Sequence, residues 1–203
     1  PPPPPPLDPP PRNGEPFAEL IKKKNYLPNP VTRFCTVDLK IKPFANYLRH
    51  HLEWDEWDNM VGIRNDEPRR VAKIRANPSD GVKGIYRLMP LADANITRQD
   101  ISRFWMSQPF DLGLPNINGV TYHGNCDLCF LKGANQVLSL IKEKPDRATW
   151  WIGQEGSINN PGIQGGGYFR KDRPSYASML KFSQEQTDMF DKDEEAIACF
   201  CGD

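Results

Sequence analysis

Apolar residues along this chain come in short clusters, separated by proline, glycine and charge. From Pro16 to Leu27, Phe17, Leu20 and Ile21 share one side of a 3.6-residue repeat and Lys22, Lys23 and Lys24 the other, which predicts an amphipathic helix. Pro28 and Pro30 are expected to end it. Cys35 is expected in a turn. Leu39 to His51 reads as a second helix interrupted near Pro43, because proline lacks the N–H that a helix interior uses. Trp57 to Ile63 reads as a short buried strand that ends at the charged turn Arg64-Asn65-Asp66-Glu67, and Ile85 to Pro90 as a second strand. Thr97 is placed to cap a helix over Arg98 to Met106, with Asp100 in its first turn. Phe110 to Asn125 is loop-rich, and Phe130 to Lys144 reads as a helix beginning directly after Cys129. Ser157 to Gly167, rich in Gly and Asn, reads as a mobile loop. Ser175 to Asp191 reads as the last helix. Helices alternating with two or three strands predict a helix-rich α/β domain without internal repeats.

Composition narrows the classes. Lys and Arg number 26 and Asp and Glu 26, so no global field draws in nucleic acid, although local patches can. No apolar run is long enough for a membrane span, and the start lacks the basic and apolar segments of a secretory leader. Pro1 to Pro11 is almost all proline. Residues 1–15 are therefore expected to be a disordered, extended segment ahead of a domain over 16–203. Five cysteines leave one over in any set of internal disulfides. Metal-bound thiolates in a reducing, cytoplasmic setting fit that count better.

The cysteines carry the sharpest chemical signal. Cys126 and Cys129 form a Cys-x-x-Cys, which puts two sulfurs on one tight turn. Cys199 and Cys201 form a Cys-x-Cys near the end of the sequence, and Cys35 stands alone in Arg33-Phe34-Cys35-Thr36. Arg33 and Lys40 flank Cys35 and are expected to favour its thiolate; a small buried hydrophobe is the plainer reading of Cys35. Arg64, Glu67 and Arg70 lie on the turn after the first strand. Arginine forks there would bind phosphate or sulfate oxygens, or the turn is a solvated set of surface ion pairs. His123, three residues before Cys126, is more plausibly structural than a ligand, and the tryptophans read as core or interface residues. Gly165-Gly166-Gly167 lacks the strand-to-helix setting of a phosphate loop.

Four segments in order resemble a known family. They are Arg33-Phe34-Cys35-Thr36 with Leu39-Lys40-Ile41-Lys42-Pro43; Val61-Gly62-Ile63-Arg64-x-x-Glu67-x-x-Arg70; Met89-Pro90-Leu91 with Thr97-x-x-Asp100-Ile101; and Asn125-Cys126-x-x-Cys129-Phe130-x-Lys132. Together they look like the phosphoadenosine phosphosulfate reductase family of the adenine nucleotide α-hydrolase superfamily. The likeness is to phage- and mobile-element-encoded members, and more distantly to the sulfurtransferases of DNA phosphorothioation. The resemblance implies the C-terminal part of a Rossmann-like fold with a cysteine-bound metal subsite. The family's Ser-Gly-Gly-x-Asp-Ser phosphate loop and first strands have no counterpart here.

The same resemblance implies a four-iron (4Fe-4S) cluster on Cys35, Cys126 and Cys129, with Cys201 (or Cys199) as fourth ligand; zinc is the alternative metal. It implies that Arg64, Glu67, Arg70, Arg33 and Lys40 hold phosphate or sulfate, and that Cys201 and Cys199 are the catalytic thiols. The partners implied are an adenine nucleotide or sulfonucleotide and a thioredoxin-like reductant or a cysteine desulfurase. A nucleic acid and a homodimer stay open, and a membrane is not expected. The competing reading is a non-catalytic module, stapled by zinc or an iron–sulfur cluster, that binds a protein or nucleic acid.

Overall fold

An asparagine, rather than the expected prolines, ends the first helix. The computed structural model describes residues 13–79, 84–111, 113–117, 120–158 and 167–185. In it α1 spans Glu15–Lys24, and Asn25 follows in the left-handed region at φ 57°, its N–H returning to the Ile21 carbonyl. Asparagine tolerates that conformation better than most side chains, so the stop is local. At the other end Gly14 has φ +82°, and a Cβ there would stand 2.6 Å from Trp150 Nε1. A larger residue would be both strained and crowded.

Cys35 is not in a turn. It lies in α2 (Phe34–Thr36), which runs through a π-helical stretch, Val37–Ile41, into α3 (Lys42–His51). Pro43 therefore does not interrupt the helix. The Lys42 N–H reaches back five residues to the Val37 carbonyl, and Pro43, with no N–H to offer, sits where the ladder returns to α pitch. Asp38 braces this stretch through Lys42 at 2.6 Å and Lys24 of α1 at 3.0 Å.

The chain forms two compact units, one from residues up to Pro43 and from Tyr122 onward, the other Phe44–Thr121. In the second, β1 (Trp57–Met60) pairs in parallel with β2 (Ile85–Leu88), Trp57 opposite Ile85 and Met60 opposite Leu88. Both strands are shorter than expected, and β1 is not buried: its side chains alternate, and Met60, Tyr86 and Leu88 are exposed. α4 (Pro68–Ala76) and α5 (Pro90–Asp93) supply Val71, Ile74 and Ala92 to a small core with Ile63 and Met89. Buried Arg87 on β2 donates to the Asn77 carbonyl at 2.6 Å and so holds the end of α4.

α6 (Arg98–Ser107) starts as the sequence predicts. The Thr97 N–H donates to Asp100 Oδ2 at 2.8 Å, and the Asp100 N–H donates to Thr97 Oγ1 at 3.4 Å, a capping box. The hydrogen bonds from Thr97 and from Arg103 hold the Asp100 carboxyl at about 2. Within the stretch expected as loop, β3 (Asn116–Ile117) pairs antiparallel with β4 (Val120–Thr121).

In the first unit α7 is Ala134–Glu143 and does not begin directly after Cys129. Leu128 to Gly133 run as turns, and the helix starts after Gly133. A 3-10 turn (Pro145–Arg147) leads into α8 (Ala148–Ser157), and α9 (Tyr176–Glu185) packs on α7 and α8. The core gathers Ile21, Leu27, Leu128, Phe130, Val137 and Met179 around an aromatic group. Trp151 stacks on Tyr176 at 5.2 Å and meets Phe169 at 5.0 Å. Of the tryptophans read as core or interface residues, Trp151 is buried, while Trp54 and Trp105 are exposed. The proline-rich start, most of the glycine-rich stretch and the end of the last predicted helix lie outside the described residues. Among the described residues no helix is long and apolar enough to cross a membrane.

Tyr176 fixes the turns before α7. Its hydroxyl, fully buried, donates to the Leu128 carbonyl at 2.5 Å and accepts from Arg173 Nη2 at 3.0 Å. Tyr176→Phe strands both partners in the core and should cost about 1–3 kcal/mol. Urea unfolding followed by tryptophan fluorescence measures this; an unchanged midpoint would show that the hydroxyl is dispensable.

Candidate functional site

Three of the predicted sulfur ligands come to one unit. Cys35 projects from α2 and is half-buried, Cys126 is exposed at the start of the Cys-x-x-Cys turn, and Cys129 is buried at its end. Asn125 enters the turn with φ 62°, and the Cys129 N–H closes it on the Cys126 carbonyl at 3.2 Å. The next turn follows at once, the Lys132 N–H donating to the Cys129 carbonyl at 2.9 Å. Cys35 and Cys126 lie near enough for the charge of one to act on the other.

The Cys35 thiol departs from the sequence expectation. Burial pushes it up, and the charge of Cys126 pushes it further; hydrogen bonds with Thr36 and the charge of Lys40 act in the opposite sense and lose. Lys40 is exposed, so its charge is screened. Flanking cations in the sequence therefore do not make Cys35 a thiolate here.

Lys132 is the polar residue that the sequence reading undervalued. It is 4% exposed, and its Nζ donates to the Tyr122 carbonyl at 2.6 Å. Burial pushes its ammonium below the ordinary lysine range, while Cys129, Asp127 and Cys126 pull it back up. Arg173, also buried, donates through Nη1 to the Lys132 carbonyl at 2.7 Å. The one signal for Lys132 was its place three residues beyond Cys129. Arg173 gave none, because it comes to the turn from a segment 41 residues further along.

A polar rim lies beside the turn. His123 Nε2 is 2.9 Å from Glu143 Oε2, Glu143 is 3.4 Å from Arg147, and Arg147 is 3.6 Å from Asp127. His123 thus faces a carboxylate. His50 and His51 are exposed on α3. Among the described residues, no three His, Cys, Asp or Glu side chains converge as a metal-holding group. Cys199 and Cys201 lie outside the described residues. Cys35, Cys126 and Cys129 share one unit with buried Lys132 and Arg173; thiolates of this kind are the donors that zinc and iron–sulfur groups take.

The predicted oxyanion residues divide between the units. Arg33, which precedes α2, and Lys40 belong with the cysteines; Arg64, Glu67 and Arg70 belong to the other unit. There they form a clasp at the start of α4. Glu67 accepts from Arg70 Nη1 at 2.6 Å and from the Arg64 N–H at 3.1 Å. Arg64 Nε donates to Asp66 Oδ1 at 2.8 Å, and the other oxygen of Asp66 accepts from the Arg98 N–H at 3.0 Å, tying the turn to the start of α6. Burial alone would raise the Glu67 carboxyl, but the hydrogen bonds and charges of Arg70 and Arg64 outweigh it and hold it below the ordinary range.

Comparison with known proteins adds little beyond a phage connection. The chain is 31% identical over 130 residues to an uncharacterized nin region protein, ORF290, of Escherichia phage lambda; the match covers 64% of this chain and 39% of the relative. The chain thus spans well under half the length of that relative. No protein-family model matches the chain, and no solved structure matches it.

The Glu67 clasp has a pH signature. Because its folded carboxyl lies below the unfolded value, ionised Glu67 contributes stability that is complete above about pH 4.3 and is lost as pH falls further. Glu67→Gln should therefore show a flatter loss of stability than the parent between neutral and acid pH, in urea titrations at each pH. Parallel curves for the two proteins would mean that the clasp does not hold in solution.

Proposed function

We propose that this chain is a phage-type protein of the phosphoadenosine phosphosulfate reductase kind. It would act on an adenine nucleotide or activated sulfate through a cysteine-bound iron–sulfur centre in a Rossmann-like α/β framework. The observation that supports this reading is that Cys35, Cys126 and Cys129 belong to one unit, with Cys35 near Cys126 and with Lys132 and Arg173 buried at the Cys126–Cys129 turn. Cys35, Cys126 and Cys129 would hold the cluster, with Cys201 or Cys199 as the fourth thiolate. When bound, such a cluster supplies electron or sulfur-transfer chemistry and adds negative charge beside Lys132.

The chain's own residues would then divide the work. Arg33 and Lys40 would attract an anionic substrate towards the thiols. Arg64 and Arg70 would meet phosphate or sulfate oxygens where Asp66 and Glu67 release them. If Cys201 is not a ligand, its thiolate would attack the sulfur of an activated sulfate. An S–S bond would form as the S–O bond to phosphate breaks, and the nucleotide would leave with the electron pair. A second thiol, Cys199 or that of a thioredoxin-like donor, would attack the S–S bond and release sulfite as a disulfide forms.

A second reading is a metal-stapled binding module in which zinc or a cluster only holds loops together. The clasp favours it, because the guanidinium groups of Arg64 and Arg70 already meet carboxylates. Iron, zinc and acid-labile sulfide in anaerobically purified protein separate the two. Iron with sulfide, lost in Cys129→Ser, is expected on the first reading. Zinc without sulfide would favour the staple, and metal content unchanged in Cys129→Ser would remove the cysteine assignment altogether.

A further inference from the structure

Two separate demands meet just ahead of α1. Asn13 Oδ1 accepts the Glu15 N–H at 3.0 Å, closing a turn that leads into the helix. Gly14 takes φ +82°, and a Cβ there would stand 2.6 Å from Trp150 Nε1, so the position belongs to glycine. Its carbonyl is committed as well, accepting from the Phe17 and Ala18 N–H groups at 3.1 and 3.0 Å. The fold thus requires an asparagine directly before a glycine.

That pairing is chemically labile. The backbone nitrogen of the second residue can attack the side-chain amide of the first, and a glycine has no Cβ to shield its nitrogen. Among the described residues the Gly14 N–H makes no hydrogen bond, so the nucleophile is not held elsewhere. Asn13 is exposed, so water reaches both reacting groups. The Glu15 N–H on Oδ1 draws electron density from Cγ, the carbon to be attacked. Nδ2, the nitrogen that must leave, is restrained only by a 3.4 Å contact with Glu15 Oε2.

We infer that Asn13 and Gly14 form a site of spontaneous covalent modification, at which Asn13 deamidates through a cyclic imide. The Gly14 nitrogen gives its proton to hydroxide and attacks Asn13 Cγ. The new C–N bond closes the imide as the Cγ–Nδ2 bond breaks, and ammonia leaves with a proton from water. A second water then opens the ring. Cleavage at Cγ gives aspartate; cleavage at the Asn13 main-chain carbonyl gives isoaspartate. The reaction needs no oxidant, reductant or enzyme. Aspartate keeps an oxygen for the Glu15 N–H. Isoaspartate routes the main chain through Cγ, lengthens it by one carbon ahead of Gly14 and so shifts the glycine from its seat at Trp150. Phe17 of α1 lies on the same tryptophan at 5.2 Å, so this product loosens the start of the helix. The site is independent of the cysteine centre and stands whether or not metal is bound.

The test is peptide mapping by mass spectrometry after the full chain has stood in mildly alkaline buffer, folded and, in parallel, unfolded in guanidinium chloride. In the folded sample the peptide carrying Asn13 should gain the mass of OH in place of NH2 and resolve into aspartate and isoaspartate forms. Conversion should be slower in mildly acid buffer, where less hydroxide is present. It should be lost in Asn13→Gln, whose longer side chain closes the ring poorly. Asn13→Asp, which reproduces the first product, should keep the parent's circular dichroism. Asn13 left intact in the folded sample but converted in guanidinium chloride would overturn the inference, because the fold would then protect the pair. So would conversion confined to other asparagines of the chain.

Discussion

The cysteine turn depends on a buried tyrosine. Leu128 to Gly133 are all buried and lie in no helix or strand, so their backbone groups need partners from elsewhere. The Tyr176 hydroxyl takes the Leu128 carbonyl and Arg173 takes the Lys132 carbonyl. Tyr176 is in turn seated by Glu155 of α8, whose carboxylate accepts its N–H at 3.0 Å. Burial raises the Glu155 carboxyl, and the N–H bonds from Tyr176 and Phe169 only partly offset this. Tyr176 of α9 and Arg173 just ahead of it thus hold the carbonyls on either side of Cys129.

Around the thiols, burial and charge compete. At Cys35 desolvation prevails over a solvated lysine. At Lys132 desolvation also prevails, although two cysteines and an aspartate oppose it. A buried ammonium with a carbonyl for partner is a costly arrangement unless negative charge comes to it. Thiolates would bring that charge. In this unit, then, exposed Lys40 bears on Cys35 and buried Lys132 on Cys129 and Cys126.

What was legible in the sequence was local. Thr97 with Asp100 three residues on announced a helix start, because a capping box is closed by residues within one turn. The lysines and apolar residues of α1 announced its faces in the same way. The π-helical stretch was not legible: Pro43 signals a break, and only the shift of the preceding hydrogen bond to five-residue spacing shows how the helix continues. The delayed start of α7 was hidden as well, since Phe130 and Leu131 fit a helical pattern but are buried in turns held by α9. The hairpin of β3 and β4 had a signal that went unused, as Asn118-Gly119 between them is a favoured two-residue hairpin sequence. Of the candidate site, the three cysteines were legible as residue types, but Arg173 was not, because its role comes from tertiary placement.

The arginine turn shows why a residue pattern alone does not establish an anion site. Arg64 and Arg70 in one turn look like phosphate ligands until the carboxylates are placed. Glu67 and Asp66 take the Arg70 and Arg64 forks at 2.6 and 2.8 Å, and Asp66 also joins the start of α6. Hydrogen bonds to charged groups contribute about 1.5–3 kcal/mol each. A phosphate approaching this turn would have to displace at least one of them while facing two negative charges.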